Sequence, residues 1–220
     1  MAGRPGPRRV LTEDAILDAA LTLLDAGGLE AASIRRIAAA VGVTPNAVYT
    51  YFPDKSAVQA ALVDRVLGEV DYAVLVDPEQ PWRERVRVLA LDVRARLSAH
   101  PGAVALLMGG PIDGPHALAL GEQLLEALAA AGLDAVAAAR ASYLVMTYVL
   151  GAVALEAAEH SGTGPLPAEA DRIAVRKAAF ADLPAERFPR TAAAADTIAT
   201  YVSTEQFLWG LDRVLAGIVK

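Results

Sequence analysis

The chain has 220 residues, of which 55% are apolar and 21% charged, with no cysteine and a formal net charge of −6. The lack of cysteine excludes disulfides, zinc–thiolate sites and thiol catalysis, and the acidic balance argues against a bulk polyanion binder. What remains is one large domain or two small ones, long enough for a sizeable core and richer in helix-forming than in strand-forming residues.

The charge deficit lies outside residues 1–60, where six basic residues balance six acidic ones. An acidic body can still present a local basic face to DNA. The opening MAGRPGPRRVLTED lacks an apolar signal core, and no run of about 20 apolar residues without charge appears. Neither a secretory signal nor a membrane span is expected, and the cysteine-free composition suits a reducing cytoplasm.

Residues 1–10 read as an arm broken by Gly3, Pro5, Gly6 and Pro7. Thr12 can cap a first helix with Glu13 and Asp14 in its first turn, and Gly27–Gly28 ends it. Ser33 can cap a short second helix whose apolar positions Ile34, Ile37, Ala38 and Val41 follow helical spacing, with Gly42 as its stop. Thr44 can cap a third, with Pro45 at its first position and a Val43–Val48 staple. Two short helices across a turn of about three residues, with a helix before them, are the signature of a helix-turn-helix unit.

Pro53 and Asp54 break the chain, and a fourth helix follows at about 55–70. The organisation expected is 1–55 as a helix-turn-helix domain, 56–71 as a connecting helix and 72–220 as a second helical domain. Helices are expected in the latter at about 82–99, 103–109, 116–131, 134–160 and 196–218. A further helix at 168–181 and a mobile loop around Pro184 and Pro189 are the expectation for 162–195. The apolar stretch from Ala141 to Leu155 is too short to cross a membrane and reads as a buried helix, while Tyr143, Met146, Tyr148 and Val149 demand burial on more than one side. The fold class is therefore all-α.

On the third helix Val48 and Phe52 face inward, while Asn46, Ala47, Tyr49 and Thr50 face outward, where small and hydroxyl-bearing residues suit a groove and its phosphates. Arg35 can reach a guanine edge or a phosphate, and Lys55 a phosphate. An ordinary helical corner with a solvated face is the plain alternative.

The run Ser33-Ile34-Arg35-Arg36-Ile37-Ala38, then Val41-Gly42-Val43-Thr44, Val48-Tyr49-Thr50-Tyr51-Phe52 and Asp54-Lys55 resembles the DNA-binding domain of TetR-type transcriptional regulators. The resemblance implies a homodimer on a palindromic double-stranded DNA operator. It implies that Ser33, Arg35, Pro45, Asn46 and Ala47 lie against the DNA at or near the bases. It also implies that Thr44, Tyr49 and Lys55 touch phosphates, with Tyr51 and Phe52 partly structural. Arg4, Arg8 and Arg9 would reach a minor groove or serve as a solubilising tail.

From Trp82 onward the chain resembles the tetracycline-repressor subgroup, through Ser98-Ala99-His100, Glu122-Gln123-Leu124, Gly151, Leu155-Glu156, Glu159-His160 and Phe207-Leu208-Trp209-Gly210-Leu211. This implies a ligand and dimerisation domain in which the helices near 134–160 and 196–218 form a four-helix bundle with their symmetry mates. It departs from the subgroup where a metal-binding His-Leu-Gly-Thr run is replaced by Leu107-Met108-Gly109-Gly110, which removes the hard ligand that magnesium needs. Gln123 and Glu156 do match ligand-side polar positions. The expected inducer is thus a lipophilic or aromatic small molecule, without metal or cofactor, against Trp82, Leu89, Val93, Leu107, Met108, Gln123, Tyr143, Thr147 and Glu156. Plain core packing is the alternative for each.

His100 is read as a helix-end cap, His116 as a helix start and His160 as a helix end. Glu156, Glu159 and His160 stand at helical spacing, either as a solvated helix end or as metal ligands. No nucleophile–base pair or phosphate loop is visible, so an enzyme is not expected. The chain reads as a ligand-responsive DNA-binding regulator released by its inducer, with a helical ligand-binding protein or enzyme lacking a DNA role as the other reading.

Overall fold

The computed structural model describes residues 11–77, 79–159 and 164–218, and these are built of helices and turns alone. The arm residues Arg4, Arg8 and Arg9, and His160, lie outside them.

Helix α1 (Glu13–Ala31) opens with the Thr12 hydroxyl accepting from the Ala15 N–H at 3.1 Å. Its regular part stops at Gly27 and Gly28, where Gly28 adopts φ 66°, a conformation that glycine takes without steric cost. Helix α2 (Ile34–Ala40) starts on a Ser33 cap. It ends at Gly42 (φ 75°) with paired bonds from the Gly42 and Val43 N–H groups to the Ala39 and Ala38 carbonyls. Helix α3 (Pro45–Val48) is a single turn, and α4 (Lys55–Gly68) is capped by Asp54. Ile16, Ala20, Leu24, Ile37, Ala38 and Val48, each at most 1% exposed, hold α1 to α3 together.

A 3-10 turn (Tyr72–Val76) leads into α5 (Trp82–Ala99), and Arg85 ties the two by donating to the Leu75 carbonyl at 2.5 Å. Then come α6 (Pro101–Gly109), α7 (Pro115–Ala130) and α8 (Ala135–Ala158). Helix α8 packs on α5, α6, α7 and α12, while α4 packs on α6 and α7, and α1 on α6. The buried cluster runs unbroken from Ile16 to Leu215.

The end of the chain differs from the expectation in two ways. The segment after α9 (Glu169–Ala181) holds a short α10 (Pro189–Ala193), with Pro189 at its first position. The helix expected at 196–218 is two, α11 (Ala195–Ala199) and α12 (Thr204–Ile218). The break has a polar cause. The Val202 carbonyl accepts from Arg94, and the Ser203 hydroxyl caps α12 by accepting from Gln206 N–H at 3.0 Å.

Helix α8 falls within the helix expected at about 134–160, and by length and composition alone its 24 residues are apolar enough to cross a membrane. Its apolarity serves two sides. Ala138, Ala141, Val145, Val149 and Val153 face the core, and Val136, Tyr143 and Leu155 lie 63%, 66% and 72% exposed.

Candidate nucleic-acid interface and ligand cavity

Around α3 the side chains divide by burial. Val48 and Phe52 are buried, whereas Thr44, Pro45, Asn46, Tyr49 and Thr50 are exposed and Ala47 is half-buried. The Tyr51 hydroxyl donates to the Leu11 carbonyl at 2.6 Å, which ties the back of this turn to the entry of α1. Thr50 is turned inward upon its own helix, its hydroxyl donating to the Ala47 carbonyl at 2.7 Å.

Thr44 stands at the N-cap of α3, but its hydroxyl makes no capping bond. The N3 donor is already used: the Ala47 N–H takes the Thr44 carbonyl at 3.0 Å. The hydroxyl stays available to an outside partner. Ser33 is different, since its hydroxyl accepts from Arg36 N–H at 3.4 Å and supports α2. Arg35 and Lys55 are exposed and make no ion pair among the described residues. Lys55 is the first residue of α4, where a cation opposes the helix dipole, so the fold itself gains nothing from its charge.

The second feature is a partly open apolar cavity of about 110 Å³ between α5, α6, α7 and α8, with Leu67 of α4 in its wall. Leu89 and Val93 of α5 and Leu107 of α6 line it, together with Leu120, Gly121 and Leu124 of α7 and Val145, Met146 and Val149 of α8. Ser142 is the one hydroxyl-bearing residue in the wall.

The other expected ligand residues lie elsewhere. Met108 is 57% exposed, and Tyr143 and Thr147 point outward from α8. The α8 surface that lines the cavity is one position out of phase with these two, a difference of about 100° on a helix. The spacing of Val145, Val149 and Val153 carries that phase. Trp82 lies at the start of α5 with the Arg83 guanidinium 4.6 Å above its ring. Gln123 is not in the wall, and its Oε1 is buried without a hydrogen-bond partner among the described residues.

Glu156 is 3% exposed and pairs with Arg94 of α5 (Nε–Oε1 2.8 Å) and Arg172 of α9 (Nη1–Oε2 3.2 Å). Glu159 pairs with Arg176. Both carboxylates of the considered metal trio are thus taken by arginines, and the third member, His160, lies outside the described residues. Nearby, burial pushes the Tyr148 phenol above its ordinary pKa, and its hydroxyl donates to the Phe207 carbonyl at 2.8 Å, joining α8 to α12.

His100 and His116 both sit where the first four helices meet the rest. His100 Nδ1 lies 2.9 Å from Asp25 Oδ2 of α1, and His116 Nδ1 2.8 Å from Asp64 Oδ2 of α4.

The architecture is shared with known proteins. Residues 16–62 match the model of bacterial regulatory proteins of the tetR family, and residues 76–220 that of the tetracyclin repressor-like C-terminal domain. A helix-turn-helix-type transcriptional regulator of Saccharopolyspora erythraea is 34% identical over 182 residues, 82% of this chain and 76% of that one. The crystal structure of a possible TetR family transcriptional regulator from Streptomyces coelicolor superposes with a TM-score of 0.79 at 29% identity, covering 94% of this chain and 98% of that one. The S. coelicolor TetR family protein ActR, solved in complex with actinorhodin, gives 0.78 at 27%, covering 95% and 97%. Both family models together span most of the chain, and the chain belongs to the tetR family of bacterial DNA-binding transcriptional regulators.

Proposed function

We propose that the protein represses transcription from a palindromic operator as a homodimer and is released by a small, mostly lipophilic molecule seated in the cavity between α5 and α8. The observation that carries this reading is the cavity itself. Its wall is apolar and includes Leu67 of α4, the helix that begins beside α3. A guest there meets the element that positions the DNA-facing turn. By linkage, such a guest lowers operator affinity only if it binds the DNA-free arrangement more tightly.

The DNA-facing set is Ser33, Arg35, Thr44, Pro45, Asn46, Ala47, Tyr49 and Lys55, with Arg35 as the best reader of a guanine edge and Thr44, Tyr49 and Lys55 on phosphates. For the dimer, α8 and α12 pack side by side, and both leave large apolar side chains uncovered: Tyr143 and Leu155 on α8, Trp209 on α12. That suits a bundle with the same two helices of a second copy. The complex of ActR with actinorhodin supports a small-molecule effector for a relative of this shape.

The test is a gel-shift titration with duplexes from the promoters flanking the gene, combined with light scattering. Binding to one palindrome by a dimer, reversed by an apolar aromatic compound, is expected. A chain that binds no flanking duplex, or that remains bound at every concentration of such compounds, ends the reading.

A further inference from the structure

We propose that Asp64 of α4, through its contact with the first turn of α7, is the positioning residue that converts occupancy of the cavity into movement of α4. This rests on the function proposed above and names its transmission step.

Helix α7 begins without means to satisfy its own first N–H groups. Its N-cap is Gly114, with no side chain, and Pro115 follows. The acceptor comes from the other side of the junction. Asp64 Oδ1 accepts from the N–H of His116 at 2.9 Å and from that of Ala117 at 3.2 Å, while Oδ2 pairs with the His116 ring. The helix start is therefore capped in trans, with the carboxylate at the favourable end of the dipole.

The surroundings are shaped for this contact. A Cβ at Gly114 would collide with the Asp64 carboxylate. One turn along α4, a Cβ at Gly68 would lie 3.0 Å from the His116 imidazole, so any larger residue there would crowd the ring and glycine gives it room. Two glycines on two elements thus make room for one aspartate–histidine pair.

Residues just beyond this cap, Ala117, Leu120 and Gly121, are cavity wall. The cavity holds about 110 Å³. That is less than the roughly 150 Å³ cavity known to take a benzene, so a polycyclic guest seated wholly inside it must displace a wall. Helices α5 and α8 are bolted together by the buried Arg94–Glu156 pair. The first turn of α7 is held at its end by a single carboxylate, and displacing it either pulls Asp64 along or strips that carboxylate of its donors. Asp64 lies nine residues from Lys55, about 14 Å along the helix at 1.5 Å per residue, so a shift there is delivered to the DNA-facing end.

The experiment uses full-length protein, a duplex selected from a random pool against the wild type, and N-phenyl-1-naphthylamine as a neutral apolar probe. Duplex affinity is measured with and without saturating probe. For the wild type the ratio is expected to be at least about fivefold, the lower end of usual allosteric coupling. In Asp64→Ala it should fall below about twofold, with the probe still bound and the probe-free duplex affinity retained. His116→Ala, which keeps the backbone bonds to Asp64, should lie between. If Asp64→Ala does not fold, Asp64→Asn is judged by the same ratio. A lowered melting temperature with an unchanged ratio in both an Asp64 variant and His116→Ala makes the contact merely structural and overturns the proposal alone. A wild type that binds the duplex yet shows no ratio, or binds no duplex, overturns the proposal together with the function on which it rests.

Discussion

Arg94 of α5 and Glu156 of α8 meet through two bonds, Nε to Oε1 at 2.8 Å and Nη2 to Oε2 at 3.1 Å, at sites only 8% and 3% exposed. Two more Arg94 bonds reach the Thr204 hydroxyl and the Val202 carbonyl, and Glu169 Oε2 lies 3.5 Å from its Nη2. Removing one partner of a buried pair leaves an uncompensated charge, so Glu156→Ala should destabilise the fold by about 3–5 kcal/mol. The double variant Arg94→Met with Glu156→Leu should recover part of that loss, because it removes two desolvation penalties but takes a partner from Arg172 and from Glu169. Urea denaturation of the three proteins measures the difference; a Glu156→Ala loss below about 1 kcal/mol would show that the pair is not holding α5 to α8.

Glu169 links α9 to the same cluster. Desolvation pushes its carboxyl pKa up, but bonds from the Thr204 hydroxyl and N–H, with the Arg94 guanidinium, outweigh it and hold the value below the ordinary 4.5. A lowered folded-state pKa adds stability that is present above the unfolded value and is lost as the pH falls through the folded one. The stability gap between wild type and Glu169→Gln should therefore be present at pH 7 and shrink below about pH 4.5. Denaturation midpoints at the two pH values test this, and a gap that widens in acid would reverse the assigned sign.

Gly121 lies in the middle of α7 on the cavity wall, and a Cβ there would meet nothing within 4 Å. Gly121→Ala should stabilise the protein by about 0.5–1 kcal/mol from helix propensity. Gly121→Leu should fill the cavity and abolish binding of an apolar fluorescent probe while leaving duplex affinity intact. Undiminished probe fluorescence in Gly121→Leu would place the ligand elsewhere.

Arg35 and Lys55 should separate by kind of contact. Arg35→Ala should cost about 1–3 kcal/mol and relax preference at one base position. Lys55→Ala should weaken all duplexes alike and reduce the salt slope of binding by about one. Tyr49→Phe tests the phenol hydroxyl on a phosphate and should weaken all duplexes alike, as for Lys55, but with the salt slope unchanged because no charge is lost. Equal losses across sequences for all three would move Arg35 onto the backbone.

The N-terminal unit was legible because its signals are local. Caps at Thr12 and Ser33, the glycine stops at Gly28 and Gly42, and Pro45 at the start of α3 each act within a few residues. Where a signal depended on distant partners it was silent. At the break between α11 and α12 the Val202 carbonyl accepts from Arg94, about a hundred residues upstream, and only the Ser203 cap on Gln206 marks it locally. Gly114 and Pro115 show locally that α7 lacks a side-chain cap, but nothing local names Asp64, some fifty residues upstream, as the group that supplies one. On α8 the apolar pattern is nearly all-round, so periodicity alone could not say whether Tyr143 or Val145 faced the core.

The cavity wall carries consequences for selectivity. With Ser142 as its one hydroxyl-bearing member, it offers almost no buried donor or acceptor that a wrong guest would leave unpaired. Strong rejection of near-isosteres, on the order of ten-thousand-fold, arises from such unpaired groups; apolar shape alone distinguishes a methylene by only about 10–200-fold. A guest in this cavity would be chosen by size and oil–water partition rather than by its functional groups. With the effector seated here, as proposed above, the protein would register a chemical class, and its response should be graded across homologues instead of reserved for one compound.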